Sequence, residues 1–167
     1  MAVSPHLRAG LWPTSFERSR FLLTLSAPLD ARHGDRADAV AREHPGRERP
    51  EVPVVVGDAT PAEMAQLFGR VWGGDETLIV VSSDLSHYLP YESARAVDAH
   101  TAQAILQLRD CLEPGEACGA APINGLLRAA RSRGLVAEQV DLRNSGDTAG
   151  DRDRVVGYGA FAFHEAP

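Results

Sequence analysis

The stretch Thr77-Leu78-Ile79-Val80-Val81 is apolar, largely β-branched and without polar alternation. A run of this kind reads as a strand buried on both faces, in the middle of an α/β sheet. The chain then turns polar at once, with Ser82-Ser83-Asp84-Leu85-Ser86-His87-Tyr88. An aspartate and a histidine three residues apart thus leave the carboxyl end of a central strand, where open α/β sheets place their ligands. A carboxylate and an imidazole at that spot can hold a metal or relay a proton. The competing expectation is structural: Asp84 caps the next helix and His87 packs in the loop.

The flanking sequence supports layered α/β architecture. Val52 to Val56 reads as a short strand ending at Gly57-Asp58. Thr60-Pro61-Ala62-Glu63 then has the form of a helix start, with threonine as N-cap, proline at the first position and glutamate at the third. Met64, Leu67, Phe68 and Val71 give that helix an apolar face at i, i+3, i+4, i+7, and Gly73-Gly74 closes it. Pro90 opens a long helix whose buried face is expected at Ala94, Val97, Thr101, Ala104, Ile105 and Leu108. Pro122 seeds another, with Ile123, Leu126, Leu127 and Ala130 inward and Gly134 past its end. Leu135 to Leu142 and Arg154 to Phe163 read as strands, the second with Gly157 and Gly159 permitting close backbone packing. Alternation of this kind predicts strands layered with helices.

The 167 residues suffice for one sizeable core. Residues 1–50 form a separate, irregular segment, and 51–167 an α/β domain. Within the first, Ala31 to Pro50 is highly charged, lacks an apolar face and reads as solvated or disordered. The net charge of −6 argues against nucleic acid and anionic membranes as partners. No stretch approaches a membrane span and no signal peptide is apparent, so the expected location is cytoplasmic. All 17 basic residues are arginine, which excludes Schiff-base chemistry on a lysine. The two cysteines, Cys111 and Cys118, are expected as thiols rather than as a disulfide.

Cys118, in Ala117-Cys118-Gly119-Ala120-Ala121-Pro122, stands just ahead of a helix start. The positive end of a helix dipole favours a thiolate, the form that binds metals or attacks as a nucleophile. A small buried cysteine is the structural alternative. Cys111 lacks that context and is expected to be structural. The polar segment Asn144 to Asp151 suits either a pocket wall or a plain chain reversal. His100 and His164 read as surface residues, and His33 and His44 have no visible partner.

Five blocks, taken in order, resemble the Memo family, which in bacteria and archaea is the AmmeMemoRadiSam system protein B. They are Val54-Val55-Val56-Gly57-Asp58, Ser82 to Tyr88, Ala117-Cys118-Gly119 with Pro122-Ile123, Asn144-Ser145-Gly146-Asp147 and Val155-Val156-Gly157-Tyr158. The resemblance covers Val52 to Phe163. It implies a fold similar to class III extradiol dioxygenases, with a strand-end pocket where two histidines and a cysteine bind iron or copper. Cys118 matches the family cysteine, and Asp84 and His87 match the acid–base pair beside the metal. The family's histidine-bearing N-terminal segments have only echoes here, chiefly Ser4-Pro5-His6, which makes His6 the candidate second ligand. Arg42-Glu43-His44 is another such echo. The N-terminal part is therefore expected to be incomplete or divergent, leaving a sheet edge exposed and favouring oligomerisation.

The leading expectation is metal-assisted redox or dioxygenase-like chemistry on a substrate that the resemblance does not name, with His87 transferring a proton, Asp84 orienting it or bonding the substrate, and Cys118 ligating the metal. The resemblance also implies an AMMECR1-type protein and a radical SAM enzyme as partners. Three alternatives stand beside this reading. They are a non-catalytic binding module, a cysteine-dependent hydrolase using Cys118 and His87, and an inactive remnant.

Overall fold

In the computed structural model, residues 21–25, 52, 54–74, 77–148 and 150–166 are described, with 21–25 described as backbone. They form five strands and three α-helices: β1 (Phe21–Leu25), α1 (Pro61–Val71), β2 (Ile79–Ser82), β3 (His87–Leu89), α2 (Tyr91–Leu106), α3 (Ala120–Ser132), β4 (Leu135–Asn144) and β5 (Val155–Glu165). This is an α/β fold on a small mixed sheet. β5 is its hub, pairing antiparallel with β1, β3 and β4, while β1 and β2 run parallel. No helix among the described residues is long and apolar enough to cross a membrane.

Local chemistry accounts for the helices. Thr60 and Glu63 cap α1 reciprocally: the Glu63 N–H donates to Thr60 Oγ1 at 3.2 Å and the Thr60 N–H to Glu63 Oε2 at 2.8 Å. Such a box satisfies two orphan donors of the first turn. Met64 and Phe68 are buried as the periodicity predicts, but Val71 is exposed and Trp72, just past the helix, is buried in its place. α3 begins two residues before Pro122 and buries Ile123, Leu126, Leu127 and Ala130. Together with Phe161 and Phe163 of β5 these fill the core, each large side chain contributing about 1.5–3 kcal/mol by leaving water.

Two expectations fail. Residues 54–57 form no strand, and Val52, Val54 and Val55 are largely exposed. The run at 77–81 is not buried on both faces: Val81 is 5% exposed, but Val80 is 44% and Leu78 39%. Among the described residues β2 pairs with β1 alone, at the end of the sheet order β2-β1-β5-β3. In that place the strand has one neighbour among the described residues, and its apolar run without alternation leaves Val80 and Leu78 outside. His6, His33, His44 and the charged segment 31–50 lie outside the described residues.

Candidate metal centre at the strand ends

β2 stops at Ser82, and the following loop is held by backbone bonds to β5. The Leu85 N–H donates to the Gly157 carbonyl at 3.0 Å, and the Gly157 N–H to the Ser86 carbonyl at 2.8 Å. Leu85 is fully buried and anchors the loop in the core. His87 then enters β3 opposite Val156. The next residue, Tyr88, has φ 57, in the left-handed region, and coincides with the irregular register between His87 and Leu89. A non-glycine residue held there costs on the order of 1 kcal/mol, which the surrounding pairing must offset. The Arg154 guanidinium lies 4.9 Å from the centre of its ring. Asp84 caps no helix: α2 begins at Tyr91 behind Pro90, without any side-chain cap.

A second segment brings in the sulfur. The stretch between α2 and α3 is tied to α3 by buried Asn124, whose amide exchanges two 2.9 Å bonds with the Leu112 backbone. Asp110 is gripped from the same helix by Arg128 Nε at 2.7 Å and Arg131 Nη1 at 2.9 Å. Buried Leu112 and Ala117 fix the stretch that ends at Cys118. There the two segments join. The Asp84 N–H donates to Cys118 Sγ at 3.2 Å, and the Cys118 N–H returns to the Asp84 carbonyl at 3.2 Å. Ser83 Oγ accepts from the Gly119 N–H at 2.7 Å and lies 3.4 Å from the sulfur. Glycine is needed at 119, because a Cβ would sit 2.8 Å from Ser83 Cβ and 2.9 Å from its hydroxyl.

The result is a cluster: one donor atom each from Asp84, His87 and Cys118, all within 4.8 Å of one another. His87 Nε2 and Asp84 Oδ2 are 3.5 Å apart. Ligands of a tetrahedral ion at bond lengths of ~2.0–2.3 Å are separated by roughly 3.3–3.8 Å, so the spread is that of a site a small shift would close. Asp84 and His87 are partly buried and Cys118 is exposed, which leaves the cluster open on the sulfur side. Cys111, expected to be structural, is exposed instead in the loop beyond α2, and both cysteines are thiols. His100 is exposed, as expected.

The polar segment after β4 resolves as a chain reversal. Asn144 and Asp147 cap a short 3-10 turn reciprocally, and the Tyr91 hydroxyl donates to Asp147 at 2.5 Å. That bond is the main reason Asp147 is held below the usual carboxylate range and Tyr91 above the usual phenol range.

Two groups near the cluster escaped the sequence reading. Tyr158 follows Gly157, the residue paired with Ser86; burial first, then the Asp84 carboxylate, push its hydroxyl pKa up. Asp98 lies beneath the loop at 2% exposure, accepting the Ser86 N–H at 3.0 Å. Burial pushes its pKa above the usual carboxylate range, against the pull of Ser86 and His87. Asp98 falls one position from Val97, which the periodicity had assigned to the buried face. Its place between two buried rows, Ala94 with Thr101 and Ala102 with Ile105, was the available signal.

The fold and cluster define a class: an α/β chain presenting thiol, imidazole and carboxylate donors at its strand ends. A family model for Memo-like proteins matches residues 48–162, and the chain belongs to the Memo family. It is 36% identical over 132 residues to a MEMO1 family protein of Aquifex aeolicus, covering 70% of this chain and 48% of that one. A MEMO1 family protein of Archaeoglobus fulgidus is 33% identical over 124 residues, 67% of this chain and 47% of its own. The chain thus spans about half the length of these curated relatives.

Proposed function

We propose that Asp84, His87 and Cys118 form a transition-metal centre serving redox or dioxygenase-like chemistry. The observation that carries this reading is the convergence of three unlike donors from two segments to within 4.8 Å. Thiolate and imidazole suit iron, copper or zinc, and the family resemblance favours iron or copper. Once bound, such a metal supplies a Lewis acid and, for iron or copper, a one-electron couple. The chain's own residues do the rest. Cys118 provides a sulfur that already accepts the Asp84 N–H. His87 and Asp84 supply Nε2 and Oδ2, 3.5 Å apart, as further donor atoms; with His6 and Cys118 as the ligands instead, the same pair gives or takes a proton beside the metal. His6, outside the described residues, is the proposed further ligand. The likeness to class III extradiol dioxygenases and the partnership with AMMECR1-type and radical SAM proteins belong to the same proposal, and pull-down with those proteins tests the second. Metal analysis of the purified chain beside Cys118→Ser tests the centre: iron or copper should fall sharply in the variant, and equal content sinks the reading.

A second reading follows from the same distances. Sγ, imidazole and carboxylate in one cluster also make a nucleophile, a base and an orienting acid. Rapid labelling of Cys118 by a thiol probe at mildly acidic pH, undiminished by chelators, would favour a cysteine-dependent hydrolase.

A further inference from the structure

Asp98 is a buried carboxylate that the proposed chemistry does not use. It stands at the centre of α2, 2% exposed, with no arginine, lysine or histidine bonded to it among the described residues. Burying an acid costs several kcal/mol unless it is hydrogen-bonded or paired. Its Oδ1 accepts the N–H of Ser86 at 3.0 Å, and Ser86 is fully buried between the candidate ligands Asp84 and His87. The opposite strand makes room for it. A Cβ on Gly157 would fall 2.1 Å from Asp98 Oδ2, so only glycine admits the carboxylate at that point. Gly157 in turn holds Leu85 and Ser86 through their backbones. The loop is therefore fixed from two sides at one residue, by Gly157 along the sheet and by Asp98 from the helix. The Ser86 hydroxyl is buried without a partner of good geometry, and the bond that ties Asp98 to the loop backbone is the one from the Ser86 N–H.

We infer that Asp98 is the positioning residue of this site, its carboxylate holding Ser86 so that Asp84 and His87 meet Cys118. The inference rests on the metal reading only for its first test. Asp98→Asn keeps an oxygen in place to accept the Ser86 N–H, whereas Asp98→Ala removes it. Titrated with Co(II), the alanine variant should bind about tenfold or more weakly than the unaltered chain and shift the cobalt visible bands, with the asparagine variant restoring both. Unchanged affinity and bands in Asp98→Ala overturn the inference.

The second readout needs no metal. Cys118 is exposed and tied to the loop through Asp84, so its alkylation rate by iodoacetamide reports loop position, with exposed Cys111 as internal control. Asp98→Ala should change the Cys118 rate by about threefold or more at an unchanged Cys111 rate, and Asp98→Asn should restore it. Identical Cys118 rates overturn the inference. Should the unaltered chain bind no cobalt, the metal reading fails alone and the alkylation result decides for Asp98. If Asp98→Ala does not fold, Asp98→Ser, too short to reach Ser86, takes both measurements; failure of both to fold makes Asp98 a folding residue and overturns its positioning role.

Discussion

The segments 82–88 and 144–151 are both short, polar and set at a strand end, yet they use their side chains in opposite ways. In the second, acceptors are consumed locally: Asp147 takes the Asn144 N–H at 2.9 Å and the Tyr91 hydroxyl, and Asn144 takes the Gly146 N–H at 2.9 Å. In the first, the backbone and the Ser83 hydroxyl do the bonding, to Gly157, Cys118 and Gly119, and the Asp84 and His87 side chains are left to converge. The Asp84 carboxylate approaches His87 at 3.5 Å, beyond a good hydrogen bond. A polar loop stabilises a fold when its groups satisfy one another, and becomes a site when the main chain releases them to converge.

The most direct way to break this contrast is a paired substitution. Asp84→Asn should weaken Co(II) binding by on the order of tenfold or more, since a neutral amide is a poor ligand, while Asp147→Asn leaves it unchanged. Comparable losses in both would mean that 144–151 belongs to the site. Gly119→Ala is next in size. Its Cβ would press on Ser83 at 2.8 Å, so a loss of about 1–3 kcal/mol in denaturant unfolding is expected. Cobalt binding should weaken with it, because Ser83 and Cys118 share that contact.

The capping box at Thr60, the inward face of α3 and the approximate ends of β5 were legible because local periodicity and end chemistry decide them. The triad Asp84, His87 and Cys118 could be named one by one, but residues 84 and 118 meet through the fold, where Asn124 and Asp110 tie an irregular stretch to α3. No pattern in a single sequence encodes such a tie. β2 misled for a related reason: an apolar run states that burial is tolerated, not how many neighbours the strand has. The burial of Asp98 could be read from its neighbours on α2, but its role could not, because its partner is a backbone N–H, which every residue carries.

The contrast predicts a smaller effect in the turn itself. Asp147→Asn should cost about 1 kcal/mol, the usual value of a lost cap, read as a lower midpoint in urea. If the loss instead matched that of Gly119→Ala, the turn would be anchoring more of the sheet than its own reversal.

The smallest effect should come from the tie behind Cys118. Arg131 first, and Arg128 after it, hold Asp110 at about 2, below its ordinary 3.8. A carboxylate depressed in the fold stabilises it above the unfolded pKa and loses that contribution as pH falls through the folded one. The Asp110 contribution should therefore be complete above about pH 5 and vanish toward pH 2. Both arginines are about half exposed, so screening limits it to about 1 kcal/mol or less. Asp110→Asn should accordingly flatten the stability profile between about pH 5 and pH 2 without moving cobalt affinity at neutral pH. A drop in that affinity would show that the tie tunes the sulfur's position as well as holding the loop, and would join 107–119 to the side of the comparison that serves the site.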